Sequence, residues 1–208
     1  MIARIIAGIF LSVLCFFPQG AMAIEYPWQL RLERDGIAVY TRRVEASPIL
    51  EFKSSVIVNE PLEKVISFFE DETNLIRWYY QCVRAEVVRK NSLGERIFYF
   101  VINLGWPVKD RDCVFTQVKS LDPASGVISY NLCALPETLP RKKGKVRVLF
   151  LDATWRFTPL EGNRTEIYFQ QHSNPGGSVP VFLVNRLSVE IPFHCLNNLR
   201  RMIGEIKD

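Results

Sequence analysis

Few side chains in this sequence are of a type and spacing that could do chemistry. The two histidines, His172 and His194, lie on a strand end and on a helix, and neither stands in a recognisable Ser-His-Asp or related arrangement. No glycine-rich phosphate loop and no metal-ligand spacing occurs, and Cys82, Cys113, Cys133 and Cys195 match neither a C-x-x-C pattern nor a disulfide framework. The expectation is therefore no catalytic group, no metal and no cofactor, with the four cysteines buried as small free hydrophobes. What remains is binding chemistry. Along Arg111 to Gln117, read as a strand, Arg111, Cys113, Phe115 and Gln117 share one face. On that face Gln117 offers an uncharged amide to a ligand hydroxyl or ester, unless that end of the strand faces solvent. Arg111 and Asp112 point to opposite faces and should pair with other groups and not with each other. Arg141, Lys142 and Lys143 form a short basic loop, either a solvated charge run or a contact for anionic lipid head groups.

These residues need a scaffold, and the chain reads as one domain. Its 208 residues suffice for a sizeable core, 48% are hydrophobic, and 14 Phe, 7 Tyr and 4 Trp would suit either an aromatic core or a cavity wall. A net charge of +4 falls short of a nucleic-acid-binding profile. Residues 1–23 have the pattern of a secretory signal peptide: Arg4, an apolar run from Ile5 to Phe17, then Ala21-Met22-Ala23 as a small-x-small cleavage site. The run is short for a membrane anchor. An exported, periplasmic or secreted monomer of residues 24–208 is expected.

Within that domain, Trp28 to Arg34 reads as a short helix and Ile37 to Val44 and Leu50 to Val58 as strands. Asn59 caps a helix with Pro61 just inside it, and Asp71 to Gln81 makes a second helix. Strands follow at Val83–Lys90, Arg96–Leu104, Arg111–Leu121, Val127–Ala134, Lys145–Thr158 and Arg164–Ser173, with turns at Ser92-Leu93-Gly94, Asp122 to Gly126 and Glu161-Gly162-Asn163. After Asn174-Pro175-Gly176-Gly177, a helix from Pro180 to about Ile206 carries Leu187, Ile191, Cys195, Leu199 and Met202 on one stripe, with a kink or a break expected at Pro192. This order gives an α+β fold: one curved antiparallel sheet wrapped around a long C-terminal helix, with aromatic side chains or a ligand filling the space between.

Several segments together resemble the START lipid-transfer domain: Trp28 with Asp35-Gly36-Ile37-Ala38-Val39-Tyr40-Thr41-Arg42, Asp71 with Trp78, Trp106-Pro107 leading to Arg111-Asp112, Pro136 with Gly144-Lys145-Val146-Arg147, Asn174 to Gly177, and Leu196 with Leu199-Arg200. The resemblance implies a helix-grip fold with an internal tunnel for one lipid or sterol-like molecule, gated by the last helix, and transient contact with a membrane. Mapped onto the elements above, the wall would include Trp78, Phe98, Phe100, Arg111, Phe115, Gln117 and Trp155, and from the helix side Phe182, Leu187, Ile191 and Cys195. Trp106 would line the tunnel or fill the core. Phosphatidylcholine carriers of the family have an arginine where this chain has Leu75. The arginine of sterol carriers aligns with Gln117, and their acid falls in Phe98-Tyr99-Phe100, so neither head-group chemistry transfers. The alternatives are an enzyme of the same fold acting on a hydrophobic substrate, or a module that binds a non-lipid partner.

Overall fold

In the computed structural model, which describes residues 26–91 and 94–205, ten strands form a single sheet and three α-helices cover one face of it. The proposed signal peptide, and Ser92 and Leu93 of the expected turn, lie outside the described residues. The strands are β1 (Gln29–Arg34), β2 (Ile37–Val44), β3 (Ser47–Val58), β4 (Cys82–Lys90), β5 (Arg96–Ile102), β6 (Arg111–Leu121), β7 (Ile128–Ala134), β8 (Val146–Arg147), β9 (Phe150–Leu160) and β10 (Arg164–Asn174). Helices α1 (Leu62–Glu70) and α2 (Leu75–Trp78) sit between β3 and β4, joined by a 3₁₀ turn at Glu72–Asn74, and α3 (Val181–Glu205) ends the description. Sheet order is β1-β2-β3-β10-β9-β7-β6-β5-β4, all antiparallel, with β8 pairing parallel to β6 off that path. Helix α3 packs on β2 and β3 and touches α1 and α2. The fold is the α+β helix-grip. Among the described residues no helix is long and apolar enough to cross a membrane.

Five local expectations need correcting. Residues 29–34 are a strand, not a helix. Asp35 and Gly36 both take positive φ (53° and 70°), which makes the tight loop of a hairpin and folds β1 back onto β2. Helix α1 starts at Leu62 with Pro61 as its N-cap residue and no side-chain cap, so Asn59 does not cap it. The second helix shrinks to the 3₁₀ turn and α2, entered through Asp71, whose carboxylate accepts from the Thr73 amide at 3.0 Å. The strand expected from Lys145 to Thr158 divides into β8 and β9. Finally, α3 is one continuous helix through Pro192 and not two abutting ones; burial of Pro192, Phe193, Cys195 and Leu196 compensates for the lost backbone hydrogen bond.

Two apolar layers result. The main core lies between the sheet and the helices and includes Phe52, Phe69, Trp78, Trp155, Phe157, Phe169, Cys195 and Leu199. A smaller one, Ile97, Tyr99, Val101 and Val114, lies on the other face of β5 and β6 and is covered by Leu135 and Leu139. Arg147 clamps that cover. It donates to Asp112 Oδ2 at 2.9 Å, to the Leu139 carbonyl at 3.0 Å, to the Pro140 carbonyl at 3.2 Å and to the Pro136 carbonyl. Arg111, on the opposite face, donates to the Gly176 carbonyl at 3.1 Å and to the Lys109 carbonyl.

Candidate ligand-binding cavity

The concave face of the sheet and the α1–α2 segment enclose a cavity of about 80 Å³. Strand alternation explains most of its wall. β5 contributes Phe98, Phe100 and Ile102; β6 contributes Cys113, Phe115 and Gln117; β9 contributes Leu151 and Trp155; β10 contributes Gln171 and Ser173. Phe69, Leu75, Trp78 and Tyr79 close it from the helix side. The aromatic residues serve as core and wall together: Trp155 stacks on Phe169 at 3.8 Å between ring centres, Trp78 meets Trp155 edge-on at 5.4 Å, and Tyr79 meets Phe100 at 4.8 Å.

A second cavity of about 70 Å³ lies toward the start of α3, bounded by Phe52, Leu104, Arg111, Val184, Leu187 and Ile191 among others. Ile102, Val148, Gln171 and Ser173 border both cavities and so form the partition between them. A water needs on the order of 10–15 Å³ on this kind of measure, so each cavity has room for several waters, and a lipid chain spanning both would have to displace the partition. Of these four, Val148 belongs to the main core and Ile102 packs against it, while Gln171 and Ser173 are tied by polar side-chain contacts. The Tyr79 hydroxyl reaches Gln171 Oε1 at 3.5 Å, and Gln171 Nε2 donates to Ser173 Oγ at 3.0 Å. The first half of α3 is pinned to β3 by similar means: the Leu50 amide donates to Asn185 Oδ1 at 2.9 Å and Asn185 Nδ2 to the Pro48 carbonyl at 3.2 Å. The second half carries Cys195, Leu196, Leu199 and Ile203, all fully buried. The N-terminal half of α3 is thus the less firmly anchored one.

The other end of the main cavity is polar. Gln117 is 7% exposed and faces the cavity, not solvent. Its Oε1 accepts from Arg96 Nη2 at 2.6 Å, and Arg96 Nη1 donates to the Glu70 backbone carbonyl at 3.0 Å. Glu70 Oε1 accepts from Tyr130 at 2.7 Å and from Lys119 at 2.9 Å. Burial would raise the Glu70 pKa, but the hydrogen bonds from Lys119 and Tyr130, with the charges of Lys119 and Arg96, outweigh it and hold the carboxyl below its ordinary value. Burial pushes the Tyr79 phenol well above its ordinary value and the Cys113 thiol to about 12, so both stay neutral. Trp78 Nε1 is buried and, among the described residues, has no hydrogen-bond partner.

The expected wall residues therefore divide. Trp78, Phe98, Phe100, Phe115, Gln117 and Trp155 meet at the main cavity, and Arg111, Leu187 and Ile191 at the second. Cys195 lines neither: it is fully buried in the core, and its Sγ accepts from the Tyr80 amide at 3.3 Å. Phe182, in the first turn of α3, lines neither and is 70% exposed. Trp106 is neither core nor wall; in the loop between β5 and β6 it is 96% exposed. Cys133 is exposed on the outer face of β7, while Cys82, Cys113 and Cys195 are buried free thiols. Arg141, Lys142 and Lys143 are exposed, with Arg141 3.7 Å from Glu137. Among the residues that border the main cavity, sequence reasoning missed Tyr79, Gln171 and the carboxylates Glu70 and Glu72, with several apolar neighbours. Gln171 shares the inward parity of Ile167 and Phe169 on β10 and was findable. Tyr79 was not, because α2 ends at Trp78 and the chain turns extended there, sending two adjacent rings inward.

Fold and cavity together define a helix-grip protein with a largely apolar cavity on the concave face of its sheet. The sequence profile of the START domain matches residues 14–207, and the chain belongs to that family. An uncharacterized protein of Pseudomonas aeruginosa is 28% identical over 178 residues, 86% of this chain and 87% of that protein. The phosphatidylcholine transfer protein of Rattus norvegicus is 23% identical, over 76% of this chain and 75% of that protein. The crystal structure of a STAR-related lipid transfer protein fragment from Xanthomonas axonopodis is similar with a TM-score of 0.79 and 31% identity, covering 86% of this chain and 99% of that one.

Proposed function

We propose that this protein binds a single hydrophobic molecule, a lipid or sterol-like compound, in the two cavities joined by displacement of their partition, and carries or senses it without chemical change. The observation that carries the reading is the pair of largely apolar cavities on the concave sheet face, the second of them bordered by the first half of α3. Its relatives named as transfer proteins support it. Burial of an apolar chain, at about 25 cal/mol per Å², would supply most of the affinity.

The place where a membrane would be met is suggested by the surface. Trp106, Leu149, Phe150 and Phe182 are exposed, and each lies within two residues of Leu104, Val148 or Val184, which border the second cavity. Aromatic rings favour the membrane–water boundary, and Arg141, Lys142 and Lys143 carry the charge to meet anionic head groups. Residues 1–23 support export to the periplasm, and a monomer suffices for this mode of action.

The test is native mass spectrometry of the protein recovered from the bacterial periplasm, with identification of anything released. A one-to-one adduct of a defined lipid supports the proposal. A mass free of ligand that stays so after incubation with sterols, phospholipids and fatty acids refutes it.

A further inference from the structure

The charge inventory of the main cavity is one-sided. Glu70 and Glu72 border it and, among the described residues, no lysine, arginine or histidine does. Both carboxylates already have cations on their outer side: Lys119 at 2.9 Å from Glu70 and Lys90 at 3.3 Å from Glu72. Arg96 borders the polar groove beyond Gln117, not the cavity, and both of its terminal nitrogens are engaged, by Gln117 Oε1 and the Glu70 carbonyl. In the second cavity both terminal nitrogens of Arg111 are held by backbone carbonyls, and its Nε is buried without a hydrogen-bond partner among the described residues. That arrangement is built in: Gly177 has φ +67°, and a Cβ there would come within 3.3 Å of Arg111 Nη2. A phosphate or carboxylate brought into the main cavity would lose its water, face two carboxylates and, among the described residues, meet no cationic side chain in the wall, which is strongly unfavourable in an apolar surrounding.

The hydrogen-bonding inventory points the same way. Trp78 contributes an indole N–H that is buried and unpartnered. Gln117 has its Oε1 occupied by Arg96, which leaves its amide NH₂ to donate. Such donors in an apolar wall are costly until an acceptor meets them. We infer that the ligand of this cavity is a neutral lipid whose uncharged polar end carries a carbonyl oxygen, an ester or a ketone, received by Trp78 Nε1 and the Gln117 amide, and that phosphate and carboxylate head groups are rejected. The inference rests on the proposed hydrophobic-ligand reading and names the class of ligand within it.

Probes with one oleoyl chain and different ends separate the two. Methyl oleate, 1-monoolein, oleate at pH 8 and 1-oleoyl-lysophosphatidylcholine would be titrated, each below its aggregation concentration, into the purified chain and followed by native mass spectrometry. The expected result is at least tenfold tighter binding of methyl oleate and monoolein than of oleate or the lysophospholipid. Equal or tighter binding of oleate or the lysophospholipid overturns this inference and leaves the hydrophobic-ligand reading standing; binding of none of the four overturns both. Trp78→Phe, which keeps an aromatic wall but removes the donor, is expected to narrow the preference for methyl oleate over 1-octadecene severalfold. An unchanged preference, with Gln117→Leu also without effect on it, would overturn the assignment of the donors.

Discussion

Replacing Arg147 by methionine tests the principal polar tie in the molecule. The side chains of Arg147 and Asp112 are each 1% exposed and 2.9 Å apart, and the same guanidinium holds three carbonyls of the segment covering Tyr99 and Val114. Methionine keeps much of the stem's packing but leaves the Asp112 carboxylate buried without its cation. Removal of one partner of a buried pair typically costs about 3–5 kcal/mol. The loop carbonyls can turn to water and add little. At about 2–4 °C per kcal/mol for a domain of this size, the melting temperature should fall by roughly 6–20 °C. Urea unfolding at pH 7 gives the same quantity from the midpoint at constant m-value. The double variant Asp112→Leu, Arg147→Met removes both charges and should recover most of the loss. The reasoning is refuted if the single variant loses less than about 1 kcal/mol, or if the double variant is as unstable as the single one. Because Asp112 points away from the cavity, any loss of ligand binding should follow the loss of folded protein and not precede it.

Three further outcomes are expected. Leu187→Trp, which enlarges a side chain bordering the second cavity, should abolish lipid uptake while costing only about 1–3 kcal/mol of stability from overpacking; a folded variant with normal adducts in the mass spectrum would contradict the placement of the path. Trp106→Asp combined with Phe182→Asp should cut sedimentation with vesicles containing anionic lipid about tenfold without changing the melting temperature, since both rings are exposed; undiminished vesicle binding would remove this end from the membrane contact. Burial, only partly offset by Glu51, holds the His172 pKa below its ordinary value of 6.5, so the unfolded chain takes up the proton first as pH falls. Stability should therefore be full above about pH 6.5 and decline below it, and His172→Gln should flatten the urea midpoint between pH 7.5 and 5; a parallel decline in wild type and variant would assign the slope to other groups.

The parts of the fold legible in the sequence were those where alternation and turn chemistry agree. Residues 111–121 were read as a strand with the observed ends, and the inward set Cys113, Phe115 and Gln117 followed from parity alone. Residues 29–34 misled because six residues with apolar Leu30 and Leu32 fit a helix or a strand; the deciding information was the positive φ at Asp35, which makes the next two residues a hairpin and not a helix end. On α3, periodicity selected the buried side correctly but not its depth. Cys195 lies on the stripe and is sealed in the core, whereas Leu187, two turns earlier on the same stripe, borders a cavity, because the sheet covers the later turns and leaves the first ones at its edge.

The chemistry of the cavity was less legible still, and for a definable reason. Sequence places Arg96 and Arg111 at the starts of two strands that turn out to border the cavities and the groove beside them, without showing what holds their guanidinium groups. Arg96 is engaged by a backbone carbonyl and an amide from β6, and the terminal nitrogens of Arg111 by two carbonyls, one of them in the Asn-Pro-Gly-Gly turn 65 residues further on. Meanwhile Trp78, expected in the wall and found there, leaves its buried indole N–H without a partner among the described residues. The affinity of an enclosed apolar site depends on which polar groups are left over after the fold has used the rest, and that remainder is a property of long-range pairings. In the main cavity the remainder is the Trp78 N–H and the Gln117 amide beside the ion-paired carboxylates Glu70 and Glu72, a combination that suits an uncharged acceptor and opposes an anionic one.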